Sequence, residues 1–256
     1  MDRRFILAGI ALVVLVIVRR VFRRQKPVTP AVSRGDQRLE ELLSKVDTTP
    51  DSPINFGYKI SWLAVRTDKS EDVVASLTID HLQPGNWRSG FIAAYNGGIF
   101  VTPAINGWVL VVSSRLPSPE TEKISDEWMR MARSLSAKFG ELQFFGTHRV
   151  VGYNAWAQFI NGHEVRSYAF LGDSGETLID RGARTSGEND LGYKYFDTLS
   201  PESKEEAYWE RKELCFPDED HVMELAGKWS VNPNTLETLN LPDSAGWVGV
   251  LRRPVQ

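Results

Sequence analysis

Cysteine is almost missing from the 256 residues: Cys215 stands alone. One thiol cannot form an internal disulfide, so a disulfide framework is excluded, and the usage is compatible with a reducing compartment. In "ELCFP" the thiol has an apolar neighbour on each side, so it reads as a small buried hydrophobe before a reactive nucleophile. Histidine is scarce as well. His81, His148, His163 and His221 show no H-E-x-x-H or other metal-ligand spacing, so neither a metal nor a cofactor is expected. G-x-G-x-x-G, Walker A and G-x-S-x-G are all lacking, which removes the usual signatures of dinucleotide, nucleotide and α/β-hydrolase chemistry. Asp173-Ser174-Gly175 superficially resembles a serine nucleophile loop, but it lies between two expected strands and suits a tight turn. The many acids form no pair that sequence alone can place face to face.

Charge is unevenly placed. Residues 1–38 hold nine Lys/Arg and two acids, a net of +7; with −3 for the whole chain, residues 39–256 carry −10. An acidic domain repels phosphate backbones, so nucleic acid is not an expected partner.

The longest apolar run is Phe5–Val18, "FILAGIALVVLVIV". Its helix would be about 21 Å long, short of a ~30 Å hydrocarbon core. An anchor, a cleaved signal peptide and a buried core helix are all open. The anchor is favoured, because Arg19 and Arg20 follow the run where a cleavage site needs small neutral residues. Val21 and Phe22 prolong the apolar face while the arginines snorkel. Arg19, Arg20, Arg23, Arg24 and Lys26 outweigh Arg3 and Arg4 on the other flank. Positive charge stays inside, so the expected product is a single-pass protein of the bacterial plasma membrane with its C-terminal domain in the cytoplasm. The arginines would also sit on anionic lipid.

Residues 25–53 read as a linker with a short helix, since Leu39, Leu42, Leu43 and Val46 make one stripe at i, i+3, i+4, i+7. A globular domain is expected over 54–256. Its expected strands include Tyr58–Thr67, Trp87–Tyr95, Gly98–Ile105, "WVLVVSS", "ELQFFG", "HRVVGYNAWAQFI", "HEVRSYAFLG", "TLIDRG" and "GWVGVL", with "QPGN" a turn. Helices are expected at "SEDVVASL", at "SDEWMRMARSLSAKFG" with Trp128, Met131, Leu135 and Phe139 inward, and at "PDEDHVMELAGKWS" behind an Asp218 cap. "ARTSGENDLG" reads as a polar stretch and "SPESKEEAYWERK" as a charged one. Asn106-Gly107 and Asn161-Gly162 are the strongest hairpin signals, because a type I′ turn needs positive φ at both central positions. Each follows a Tyr-Asn pair, Tyr95-Asn96 or Tyr153-Asn154, so two similar hairpin-containing halves are open. The fold class expected is α+β: antiparallel hairpins with about three packed helices, preceded by one transmembrane helix.

The candidate binding residues are His148, Arg149 and Trp156. A His-Arg pair at a strand start suits an anion or a carboxylate. It could equally bond locally within the sheet. Eight tryptophans are core by default, but an exposed subset would make a partner-facing surface.

At "FFGTHRVVGYNAWAQ", "VRSYAFLGDSGE" and "LAGKWSVNP" the chain resembles an uncharacterised bacterial family. The shared features are a Gly-Trp strand (Gly107-Trp108), a Phe-Gly then His-Arg-Val stretch (Phe145–Val150) and a Trp-Ser-x-x-Pro ending (Trp229–Pro233). The resemblance spans roughly residues 56–250, with the anchor as an addition. It implies a bacterial source and no particular activity. The functional expectation is a membrane-tethered, non-catalytic protein-interaction domain, immunity-like or accessory, with a protein partner. The alternative is a hydrolase-like enzyme with a site around His148.

Overall fold

The computed structural model describes residues 34–119 and 126–252. The elements are α1 (Arg34–Leu43), β1 (Ser61–Arg66), α2 (Ser70–Val74), β2 (Ile79–Asn86), α3 (Trp87–Tyr95), β3 (Ile99–Val101), β4 (Trp108–Ser113), α4 (Asp126–Phe139), β5 (Glu141–His148), β6 (Tyr153–Ile160), β7 (His163–Leu171), β8 (Glu176–Arg181), α5 (Ser186–Leu191), α6 (Glu206–Trp209), α7 (Glu219–Trp229) and β9 (Ala245–Leu251). Short 3-10 turns lie at Pro201–Lys204 and Pro233–Thr238. The nine strands form one antiparallel sheet in the order β2-β9-β3-β4-β1-β5-β6-β7-β8.

The sheet is covered on both sides. Trp62, Phe100, Leu110, Phe145, Trp156 and Phe170 pack with α1, α3 and α7 on one face. Leu63, Val109, Val111, Leu142, Phe144 and Phe159 pack with α2 and α4 on the other. Central strands are therefore buried on both faces and show little polar alternation; β4 is buried at all six positions. Leu39 and Leu43 of α1 belong to the core, and the described residues from Gly35 onward form one compact unit.

The mixed α and β character and the antiparallel sheet agree with the sequence reading; several local expectations do not. Trp87–Tyr95 is a helix. A short apolar run does not distinguish a buried strand from a buried helix, and the decision comes from distant caps. Asn86 Oδ1 accepts from Ser89 N at 2.9 Å, while the Asp51 carboxylate accepts from Trp87 N at 2.7 Å and Arg88 N at 3.2 Å. Gly90 lets α3 lie directly on Phe100, whose ring occupies the space a Cβ would need. "QPGN" is part of β2 and not a turn. Pro84 is tolerated because β2 is a sheet edge, and its register shifts between Asp80 and Gln83. "ARTSGENDLG" contains α5. In α4 the buried positions are Trp128, Ala132, Leu135 and Ser136, whereas Met131 and Phe139 are only partly buried. The described residues hold seven α-helices where about three were expected.

Both Asn-Gly turns have the left-handed backbone that type I′ requires: Asn106 and Gly107 at φ 50° and 85°, Asn161 and Gly162 at 49° and 84°. They join β3 to β4 and β6 to β7. The Tyr-Asn pairs do not correspond: Tyr95-Asn96 ends α3, and Tyr153-Asn154 opens β6. Arg19, Arg20, Arg23, Arg24 and the apolar run lie outside the described residues. No helix among the described residues is long and apolar enough to cross a membrane.

Candidate functional site

The segment from β8 to α7 carries little regular structure and is held to the sheet by one buried ionic network. Glu188 is 3 % exposed and Arg166, on β7, likewise 3 %. Arg166 Nε donates to Glu188 Oε1 at 2.9 Å and Oε2 at 3.2 Å. Trp156 Nε1 donates to Oε1 at 3.0 Å, and Thr185 donates its N–H and hydroxyl to Oε2 at 2.8 and 2.9 Å. Thr185 in turn caps α5 in a capping box with Glu188. Arg166 Nη1 also donates to Asp180 and to the carbonyls of Arg181 and Gly182. A charge taken out of water is tolerable when it is paired and hydrogen-bonded in this way. The Asp180 and Glu188 carboxylates hold the guanidinium firmly protonated against the opposing effect of burial.

Trp156 is therefore an internal residue. It stacks on Tyr168 with ring centroids 4.4 Å apart, and Tyr195 packs against both rings. Burial pushes the Tyr168 and Tyr195 phenols well above the ordinary range. The structure also separates His148 from Arg149. Arg149 pairs with Glu219 at 3.0 Å and lies over the Tyr58 ring at 4.8 Å. His148 is exposed at the end of β5 and turns to a different cleft. Thus the three candidate residues do not form one site. The remaining histidines have structural settings: His221 closes the capping box of α7, His81 sits in the irregular part of β2, and His163 opens β7. Ser174 lies in the β7–β8 turn with its hydroxyl on Glu176.

The surface that stands out was only partly legible. Seven of the eight tryptophans are buried or half-buried; Trp209 is 39 % exposed. Phe216 is 49 % exposed, and Leu199, three residues after Phe196, 53 %. Trp209 stacks on Phe196 at 5.3 Å, Phe196 meets Phe216 at 4.8 Å, and Phe216 meets buried Phe170 at 5.6 Å. Trp209 is thus the outer end of an aromatic column rooted in β7, in which Phe216 links Phe196 to Phe170, and Trp209 Nε1 is fixed by the Ser203 carbonyl at 2.9 Å. Residues 197–220 carry nine acids and three bases, one of the latter, Arg211, being paired with Glu202. Phe216 also walls a cleft of about 500 Å³ with Asn154, Phe170, Pro217, Asp218 and Asp220. Cys215, next in sequence, is half-buried, with its thiol on the Lys194 carbonyl at 3.5 Å; burial raises its pKa.

An apolar anchor surface within a negative field is chemically suited to a ligand that brings both apolar and basic groups. His148 shares its cleft with the hydroxyl-bearing Ser61, Ser114, Ser118 and Thr147. No group of His, Cys, Asp and Glu that could hold a metal occurs among the described residues. No family model, no curated protein and no solved structure matches the chain.

Proposed function

We propose that this chain is a membrane-tethered, non-catalytic interaction domain of immunity or accessory type. Its partner is a protein presenting an apolar side chain flanked by basic ones. The observation that carries the reading is the Trp209–Phe196–Phe216 aromatic run, exposed at Trp209 and Phe216, within a segment, 197–220, of nine acids and three bases. Aromatic anchors ringed by polar groups dominate protein interfaces, and opposite charge steers their encounter. The tether is the Phe5–Val18 run with its arginines, in the bacterial plasma membrane, domain in the cytoplasm; the resemblance to a bacterial family supports the setting. The hydrolase reading around His148 has weaker support, since no hydrogen bond or ion pair of its ring to a carboxylate occurs among the described residues.

A photo-reactive phenylalanine analogue at Phe216, in the full chain within bacterial membranes, tests the reading. A discrete protein adduct should form whose cross-linked peptide is basic and apolar. It should disappear from a Leu199→Ser/Trp209→Ser chain that melts like the parent, and be absent with the same analogue at exposed Val150. Equal adducts at Val150, or adducts that survive the double substitution, refute the assignment.

A further inference from the structure

The cleft that His148 faces has a composition at odds with the rest of the domain. It holds about 780 Å³, within the range of small-molecule sites. In a domain of net charge −10 no carboxylate lines it among the described residues. Its polar lining is Lys59, His148, Tyr95 and serine and threonine hydroxyls; its walls are Leu116, Val151, Leu171 and Leu178. The neighbouring charge is neutralised, because Arg149 is paired with Glu219. Neither Lys59 nor His148 has an ion-pair partner among the described residues.

Lys59 is held in an unusual way. Its φ is 55°, a left-handed conformation that costs a residue with a Cβ free energy and that gathers at functional sites. The buried Thr147 hydroxyl enforces it, accepting from Lys59 N at 3.1 Å and donating to the Gly57 carbonyl at 2.8 Å; Thr147 N then donates to the Ile60 carbonyl at 3.1 Å. One strand residue thus pins the whole Gly57–Ile60 turn at the mouth of the cleft, beside His148.

We propose that this cleft binds a small amphipathic carboxylate, its head on Lys59 and His148 and its apolar body along Leu116, Val151, Leu171 and Leu178. One permanent cation matches one negative charge, so a monoanion is favoured over a dianionic phosphate. A net-negative domain would otherwise repel such a ligand, which gives the lack of acids among the described lining residues its meaning. The site uses none of Leu199, Trp209 and Phe216 and is independent of the partner reading.

The test uses the full chain in phosphatidylcholine nanodiscs, with empty discs subtracted, and 4-phenylbutyrate as the probe. Calorimetric titration should show saturable binding, at least tenfold tighter than for 4-phenylbutanol or 4-phenylbutylamine. Lys59→Asn is the informative substitution, because asparagine tolerates positive φ and removes only the charge and stem. It should weaken phenylbutyrate about tenfold and leave the melting temperature near that of the parent, while Lys59→Arg should restore binding. No saturable binding up to millimolar probe, equal affinity for the alcohol, tighter binding of the amine, or an unaffected Lys59→Asn chain overturns the proposal.

Discussion

Glu188→Ala removes the centre of the buried network, and its consequence follows from the contacts. The carboxylate receives Trp156 Nε1, Arg166 Nε, and both the N–H and hydroxyl of Thr185. Deleting one member of a buried ion pair costs about 3–5 kcal/mol, because the other charge stays buried. Here Arg166 keeps Asp180 and three carbonyls, which puts the expected loss at the lower end, about 3 kcal/mol. With a urea slope of about 2–3 kcal/mol/M, the midpoint should fall by roughly 1 to 1.5 M, read by tryptophan fluorescence on the full chain. Since Glu188 also caps α5, hydrogen exchange should rise first across residues 184–216, the stretch that bears the aromatic surface. Replacing the pair together, Arg166→Met/Glu188→Leu, should cost less than the two single changes combined, since no orphan charge remains. A single-variant loss below about 1 kcal/mol, or strict additivity in the double variant, would show that the network does not hold this segment.

Other outcomes are expected. Gly107→Val and Gly162→Val should each destabilise by about 1 kcal/mol or more through backbone strain, more at Gly162, where a Cβ would lie 3.3 Å from Ala137. Partner binding per folded molecule should stay intact; a variant that melts like the parent but loses binding refutes the structural role of the turns. Intact-mass measurement of membrane-extracted protein should show residues 1–24 present, and a chain beginning near residue 25 contradicts the anchor. A reporter active only in the periplasm, fused to the C-terminus, should be silent. Iodoacetamide at pH 7.5 should modify Cys215 several-fold more slowly than a free thiol, because burial raises its pKa and lowers the thiolate fraction; modification at the free-thiol rate counts against the half-buried geometry.

Legibility followed the range of the forces involved. Local chemistry was readable: two Asn-Gly turns whose dihedral demands only certain residues meet, Asp218 capping α7 three residues before His221, and the Trp128 and Leu135 stripe of α4. The lone cysteine likewise speaks through composition. What depended on distant partners was not readable. Trp87–Tyr95 became a helix because Asp51, 36 residues away, accepts its first amides. Pro84 could enter a strand only because β9, arriving from the end of the chain, left β2 at the edge. Trp156 looked like a binding residue until Glu188, 32 residues on, claimed its indole N–H. Neither the gathering of Lys59 and His148 in one cleft nor the aromatic column beneath Trp209 has a sequence signature. The sequence by itself determined periodicity, turns and charge balance, because these act over a few residues. Burial decided the rest, because which side chains lose water is set by strands and helices that meet only when the whole sheet closes.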